Sequence, residues 1–425
     1  MLPATIVSFA ILILSGMPIA WALGLAAAIG LAVDGTLPLS VIAQRMVGQI
    51  DTFALLAVPF FVLAGELMDR GGVSTRLVRM VAAFIGHLRG GLGMVCVISS
   101  FIFAGISASS AADAAAIGAI LIPAMIRRGY NAPFAASLQA AAATMGPIVP
   151  PSTLAIIYAS ITGVSVGALF IAGIVPGALM AIALVLYARI TGGKMEPGGE
   201  QAANWQERLV SVREAGWALF VPVIILGGIF SGVFTATESG AIAVAYALFV
   251  GLVVYREIKL RDLPDIFVRA SLVTGMVMIV LSTAGIFAWI LVTQDLPRLA
   301  GEALLAVSRS PAVVLFLIIV FMLFVGMVME IVAAGIIMIP ILFPIAHTLG
   351  FDDVHFAMVI MMTMALGAIT PPVGVTLFIT LGLSGATLSQ VNRYIWPVVG
   401  VLTVVLFIVA YVPSVSMFLP RALSR

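Results

Sequence analysis

The chain has 425 residues, of which 63% are hydrophobic and only 9% charged, with a mean hydropathy of +1.25. A soluble domain carries about 25% charged residues, so this composition excludes a soluble globular protein and predicts a polytopic membrane protein. The net charge of +2 gives no case for nucleic-acid binding, and the single cysteine, Cys96, excludes an intrachain disulfide and any Cys-based metal pattern.

Residues 1–33 are apolar, carry no Lys or Arg, and break at Gly16-Met17-Pro18. They lack the basic start of a secretory leader and are expected to stay as a membrane segment. A span needs roughly 20 residues, so this run is long for one crossing and short for two. Residues 51–69 read as a span ending at Glu66, Asp69 and Arg70. Residues 73–88, with Arg76, Arg79 and His87, read as an amphipathic piece lying along the interface. Residues 91–126 hold two short apolar arms around Gly105-Ile106-Ser107-Ala108-Ser109-Ser110-Ala111-Ala112-Asp113, and a re-entrant hairpin is predicted.

Residues 132–160 are predicted as a helix broken at Gly146-Pro147-Ile148-Val149-Pro150-Pro151-Ser152, and 165–190 as a further span. The polar stretch 191–215 is the one linker. Spans follow at 216–234, 236–255 and 269–293, then an interfacial piece at 296–309. A second hairpin is expected at 311–348 with Gly326 to Glu330 at its tip. A second broken helix is expected at 354–382 around Gly367-Ala368-Ile369-Thr370-Pro371-Pro372-Val373-Gly374, and a last span at 394–418.

The two breaks repeat at a spacing of 221 residues. The same shift carries Gly105 onto Gly326, Pro123 onto Pro344 and Pro176 onto Pro397. This predicts a duplicated unit, 1–190 and 216–425. Paired breaks at matching positions of two halves are the best sequence pointer to a transport site. Arg and Lys orient the chain. They cluster at 70–89, 127–128, 189–213 and 256–269, which are expected in the cytoplasm, and are absent from 34–38, 161–165 and 350–355. The hairpins then enter from opposite faces, so the fold class expected is an all-α polytopic membrane protein with two inverted-topology repeats.

The chemistry is expected at the breaks and tips. A Pro-Pro pair inside an apolar run removes two backbone donors and strains the preceding turn. It frees carbonyls at 146–149 and 367–370. Left unpaired and buried, each would cost several kcal/mol, so a cation, water or polar side chain must satisfy them; a plain proline kink is the bland alternative. Ser107, Ser109 and Ser110 lie beside a half-helix N-terminus, whose N–H groups favour an anion, although serines also pack helices. Asp113 and Glu330 are ionisable groups near the tips and therefore functional candidates. Ser152, Pro371 and Pro372 at the breaks join them as candidates for substrate binding or coupling. Gly105 reads as structural. Glu238 fits either a capping box with Thr235 or a membrane-depth carboxylate, and Glu66 reads as reaching solvent. No Lys or Arg falls at the predicted midplane, so an anionic substrate would need bound cations and helix ends to offset its charge. Three scattered histidines (His87, His347 and His355) make no metal site. Gly163-Val164-Ser165-Val166-Gly167 fits a hydrolase pattern but follows no strand. There is no Walker A loop, so uphill transport must draw on an ion gradient or another subunit.

Gly16 to Ala20, Leu63 to Gly72, Gly105 to Gly118, Gly146 to Ser152, Thr235 to Glu238, Gly326 to Glu330 and Gly367 to Gly374 together make the chain resemble the large membrane subunit (DctM type) of tripartite ATP-independent periplasmic (TRAP) transporters. The resemblance implies a sodium-coupled importer of organic acids such as C4-dicarboxylates, sialic acid or other sugar acids, in a bacterial inner membrane, with an elevator-type moving domain. It also implies a DctQ-type small subunit and a periplasmic substrate-binding protein. Carried to matching positions, one Na+ site would use the Ser107, Ser109 and Ser110 tip with Gly146, Val149 and Pro150. The other would use the Gly326 tip with Gly367 and Thr370. Many members have a second Gly after the first tip serine, and this chain does not, which leaves the serine ligands open. A related carrier without a binding protein is the main alternative. An intramembrane enzyme would need a paired nucleophile and base within the spans, and none is evident.

Overall fold

The computed structural model describes residues 1–195 and 202–423, so residues 196–201 of the expected linker lie outside the described residues. Among the described residues all regular structure is helical. The first half runs α1 (Leu2–Leu14), α2 (Ile19–Asp34), α3 (Ser40–Ile50), α4 (Ala57–Arg70) and α5 (Val73–Ile85), then α6 (Gly91–Ser107), α7 (Ser110–Arg127), α8 (Ala132–Ala143), α9 (Thr153–Thr162) and α10 (Val166–Tyr187). The second half runs α11 (Trp205–Phe230), α12 (Ala236–Phe249), α13 (Leu263–Thr293) and α14 (Leu296–Val307), then α15 (Pro311–Val328), α16 (Ile331–Thr348), α17 (Asp353–Gly367), α18 (Val375–Ser384) and α19 (Leu388–Tyr411); α20 (Ser414–Leu423) ends the described chain. Shifted by 221 residues, the starts of α6 to α10 fall within one residue of the starts of α15 to α19. Eight helices are long and apolar enough to cross a membrane among the described residues, and a ninth crossing is possible through α3 and α4 together.

Several boundaries differ from the sequence reading, each for a local reason. Residues 1–33 form two helices, not one. Met1 lies 3.4 Å from the Asp34 carboxylate, and a methyl group at Gly30 would collide with Thr5, so α1 and α2 are antiparallel neighbours. At 1.5 Å per residue they are about 20 and 24 Å long, short of a bilayer core of about 30 Å. The expected span at 51–69 is preceded by α3, which meets it at 62° across Asp51 and Thr52. The polar residues Gln44, Arg45 and Gln49 hide α3 in a hydropathy reading, and none of its residues is buried. It rests on α13, where Ser282 donates to the Met46 carbonyl at 2.9 Å. The span expected at 216–234 begins inside the linker, because Asn204 and Glu207 form a capping box that starts α11. The span expected at 269–293 begins at Leu263. The last span ends at Tyr411, before Pro413.

The hairpins also differ from the expectation of short arms around a loop. α6 and α7 have 17 and 18 residues, and only Ala108 and Ser109 separate them. Gly105, Ile106 and Ser107 remain helical. Ala108 turns the chain in a left-handed conformation (φ 55°), and Ser109 caps α7 by accepting from the Ala112 N–H at 3.4 Å. Glu238 proves to be the capping-box carboxylate, accepting from the Thr235 N–H and hydroxyl at 2.8 Å each.

The centre of the molecule is built from α8 and α17, the first halves of the two broken helices. Ten of the twelve residues of α8 and thirteen of the fifteen of α17 are buried. A helix apolar on every side must be covered on every side. The second halves cross over: α9 packs on α16 of the second hairpin, and α18 packs on α7 and α8 of the first repeat. Around this body lie α1 to α4 and α11 to α13, where α4 packs on α12 and α13 packs on α2, α3 and α4. α5 buries Leu77, Val78 and Val81 against α6 and α11 and turns Arg79 outward.

A close backbone approach in the centre is that between α15 and α17. A methyl group on Gly367 would lie 2.7 Å from the Gly326 Cα, backbone that cannot rotate away. Overpacking of this kind costs about 1–3 kcal/mol. Gly367→Ala is therefore expected to lower the melting temperature of the purified protein. Gly382→Ala, where a methyl group meets nothing within 4 Å, is expected to leave it unchanged or raise it slightly. Equal melting curves for the two variants would contradict this packing.

Candidate functional site

The site grows from the backbone of the two breaks. In the first, α8 ends at Ala143 and the chain runs through Thr144 to Pro151 before Ser152 caps α9. The whole segment is buried. The Ser152 hydroxyl donates to the Pro147 carbonyl and accepts from the Ala155 N–H at 3.1 Å. The Ser152 side chain is thus spent inside the break, not aimed at a ligand. No donor among the described residues reaches the carbonyls of Gly146, Ile148 or Val149. The Pro150 carbonyl faces α6, 3.7 Å from where a methyl group on Gly105 would stand.

The second break is better satisfied than the sequence predicts. The Gly367 carbonyl accepts from the Thr370 N–H at 2.9 Å, and the Ala368 carbonyl from the Thr376 N–H at 3.1 Å. Of the four carbonyls at 367–370, those of Ile369 and Thr370 lack a donor among the described residues. Thr376 lies beyond the Pro-Pro pair, so the chain folds back on itself there, which no local pattern announces. The Thr370 hydroxyl donates to the Leu366 carbonyl at 2.7 Å and keeps its lone pairs free to accept. Pro371 is half-buried and Pro372 exposed, whereas Pro150 and Pro151 are buried. Both Pro-Pro bonds are cis.

Each break glycine presses on a hairpin of its own repeat. A methyl group at Gly146 would sit 2.8 Å from both the Ser109 carbonyl carbon and the Ser110 nitrogen, and Gly367 faces Gly326 as described. At the first tip the Ser107 hydroxyl is buried without a hydrogen-bond partner among the described residues, and Ser110 accepts from Thr376 of α18 at 3.4 Å. Gly65 of α4 closes over Ser107, with its would-be methyl 3.5 Å from the Ser107 Cα. At the second tip Glu330 caps α16, accepting from the Ala333 N–H at 3.0 Å.

A cavity of about 360 Å³ joins the two tips. Ser107, Ser109, Ser110 and Glu330 line it, with Glu66 and Asp69 of α4 opposite. No Lys or Arg lines it. Of the residues predicted from sequence, Gly146, Val149, Pro150 and Ser152 lie behind this wall, and Gly326, Gly367, Thr370, Pro371 and Pro372 lie outside it. Asp113 does not line the cavity either. It is fully buried among α6, α7 and α8, and neither carboxylate oxygen has a hydrogen-bond partner among the described residues. The Ser100 hydroxyl lies beside it without reaching hydrogen-bond geometry. Gln139 bonds the Asp113 carbonyl at 3.3 Å and Ser100 at 3.2 Å, and Cys96 donates to Gln139 at 3.0 Å. Glu66 and Asp69 are the residues that sequence reading missed. Glu66 sits one turn from the end of α4 and Asp69 one residue from it, where carboxylates ordinarily reach solvent, and only the fold turns them toward the hairpins.

The set of groups is oxygen-rich and anionic: two carbonyl clusters, buried hydroxyls and three carboxylates. Such a set suits a hard cation. Among the described residues no group of three or more His, Cys, Asp or Glu could hold a metal ion, so a cation would rest mainly on the carbonyl and hydroxyl oxygens.

Residues 6–415 match the family described as "Tripartite ATP-independent periplasmic transporter, DctM component". Over 418 residues the chain is 39% identical to the isethionate TRAP transporter permease protein DctMQ of Oleidesulfovibrio alaskensis; the match covers 98% of this chain and 66% of that longer one. Over 380 residues it is 39% identical to the C4-dicarboxylate TRAP transporter large permease protein DctM of Pseudomonas aeruginosa, covering 89% of each. Its fold resembles that of the Alcanivorax borkumensis YdaH transporter, with a TM-score of 0.66 over 88% of each chain at 12% identity. The chain therefore belongs to the DctM component family of TRAP transporters, multi-pass proteins of the bacterial inner membrane.

Proposed function

We propose that this chain is the large membrane subunit of a sodium-coupled importer of organic anions, and not an enzyme. The observation that carries this reading is the pairing at each break: a glycine pressed against its own hairpin, next to buried carbonyls that no donor among the described residues reaches. Unwound carbonyls at half-helix ends are how secondary transporters hold Na+. The residues present fit such an ion. Ser107, Ser109 and Ser110 with the carbonyls of Gly146, Val149 and Pro150 would hold one, and Gly326 with Gly367 and Thr370 a second. Bound Na+ would supply the positive charge that the site itself lacks. The protein's own groups do the rest. The tip serines and the α7 N-terminus orient the anion, and the glycine contacts hold each tip at the correct distance from its break.

The two halves act as inverted repeats, 1–190 and 216–425, joined by the linker. The hairpins and broken helices move as one body against α1 to α4 and α11 to α13, in an elevator-type cycle. The relatives named for isethionate and C4-dicarboxylate support a small organic acid as substrate. The DctMQ relative, of which the match covers only 66%, supports a DctQ-type small subunit as partner. A periplasmic binding protein completes the assembly and selects the substrate.

In liposomes holding this chain and both partner proteins, uptake of the binding protein's ligand is expected only under an inward sodium gradient. Equal uptake in potassium, or uptake without the binding protein, would defeat the reading. Removing one oxygen from a cation site should matter more than removing a packing hydroxyl. Thr370→Ala and Ser110→Ala are each expected to raise the sodium concentration for half-maximal uptake about tenfold, equivalent to about 1.4 kcal/mol. Thr370→Ser should stay near wild type. Unchanged sodium dependence in both alanine variants would assign these hydroxyls to packing alone.

A further inference from the structure

Away from the transport site, a second cavity of about 580 Å³ opens between α5, the start of α11 and the end of α12. Three guanidinium groups line it, those of Arg76, Arg79 and Arg213, against two carboxylates, Glu214 and Glu257. Arg76 pairs with Glu257 at 3.0 Å and lies 3.9 Å above the Tyr255 ring, and Arg79 pairs with Glu214 at 3.2 Å. Both carboxylates are thus used. Arg213 is exposed, and no described carboxylate lies within 4.0 Å of its guanidinium. The lining keeps one uncompensated positive charge.

Its position along the membrane normal is legible from α11. Arg208, Arg213 and Glu214 are the last charged residues before an uncharged run that continues to Glu238. The cavity therefore sits where the helix enters the hydrocarbon. On the membrane side of its rim, Trp217 is 44% exposed, Phe220 59%, Phe249 45% and Val253 54%. Trp217 and Phe249 meet edge to face, with centroids 6.1 Å apart. A free cation above and an open apolar strip below make an amphiphilic site. Tryptophan at such a boundary sits at headgroup level, and basic pockets between helices on the cytoplasmic side suit anionic headgroups.

We infer that this cavity binds the phosphodiester of an anionic phospholipid of the cytoplasmic leaflet, with Arg213 as its principal cation and the acyl chains lying along Trp217, Phe220 and Phe249. The chemistry recognised is a phosphate monoanion. The apolar strip favours a lipid over free phosphate, which has nothing to place there. Because the walls come from α5 on one side and α11 on the other, the lipid bridges the amphipathic helix α5 to α11. The leaflet follows from the charge-based orientation; the binding itself does not depend on the transport reading.

Native mass spectrometry of the delipidated full chain, titrated with phosphatidylglycerol, phosphatidylethanolamine or inorganic phosphate, tests this. Wild type is expected to retain one phosphatidylglycerol at least fivefold more tightly than phosphatidylethanolamine. Arg213→Gln and Arg213→Glu should abolish that preference, and Arg309→Gln, an exposed arginine elsewhere, should keep it. Arg213 makes no ion pair among the described residues, so monodisperse elution of the Arg213 variants is expected and separates lost binding from lost folding. Loss of binding in Arg309→Gln as well, or retention unchanged in both Arg213 variants, would overturn the site. Inorganic phosphate displacing phosphatidylglycerol completely at millimolar concentration would overturn the lipid as its occupant.

Discussion

Everything in this molecule answers to one constraint: backbone polar groups inside a membrane protein must be covered or partnered. Two helices open at Pro-Pro pairs near the centre of the chain's most buried region. The carbonyls left there would each cost several kcal/mol in hydrocarbon. They are tolerable only because protein encloses them. That enclosure requires backbone against backbone, and Gly146 and Gly367 are the residues that permit it. A side chain at either position would strike main-chain atoms within 3 Å. The glycines that the sequence marks as helix breakers are therefore also spacers, and the second role explains why each stands four residues before its proline pair.

The crossing of second halves extends this from a local fit to an architecture. α9 leaves the first break and packs on the second hairpin, while α18 leaves the second break and packs on the first. Neither repeat can bury its own broken helix alone. The tips, breaks and half-helices consequently form one body, held by contacts between the halves that are absent within either. The ring of α1 to α4 and α11 to α13 meets that body mainly through α13 on α16 and α4 on α6. A body sealed by internal cross-packing, with fewer contacts to its surround, is the arrangement that a rigid-body movement needs.

Much of this was legible from residues alone. The hairpin expected at 311–348 runs from Pro311 to Thr348, and that at 91–126 ends one residue later, at Arg127. Proline pairs and glycines are local marks, and a duplication repeats them at a fixed spacing of 221 residues, so both survive in sequence. What was not legible depends on distance. The Thr376 N–H reaching back to Ala368, and Thr376 meeting Ser110 from 266 residues away, leave no periodic trace. The polar α3 was lost because amphipathic surface helices and loops look alike to hydropathy. Glu66 was assigned to solvent because a carboxylate near a helix end reads the same whether water or a cavity faces it. Asp113 was placed at the tip by sequence proximity, yet one helical turn carries it from the cavity wall into the packing between α6 and α8.

The sign of the charge around the cavity links these points to transport. Glu66, Asp69 and Glu330 surround the hydroxyls of the first tip, and no Lys or Arg lines the cavity; Arg70 and Arg269 act on the α4 carboxylates only from outside it. Glu330 is partly neutralised by the α16 N-terminus that it caps, so it withdraws one helix end that could otherwise have attracted an anion. The α7 N-terminus remains, and it is capped by a neutral serine. An organic anion entering here meets net negative charge and one favourable helix end. In the low dielectric of a protein interior that balance opposes binding. Under the proposed function, the balance reverses only when cations occupy the carbonyl clusters behind the tips. Coupling then needs no dedicated gate. A site too negative to hold its substrate alone makes anion affinity depend on ion occupancy, and reciprocal linkage makes ion affinity depend on the anion. The two breaks differ in the same sense. The first is buried with three of the carbonyls at 146–149 unpaired among the described residues, and the second is partly exposed with two of those at 367–370 already satisfied, so the two ion positions would fill with unequal affinity.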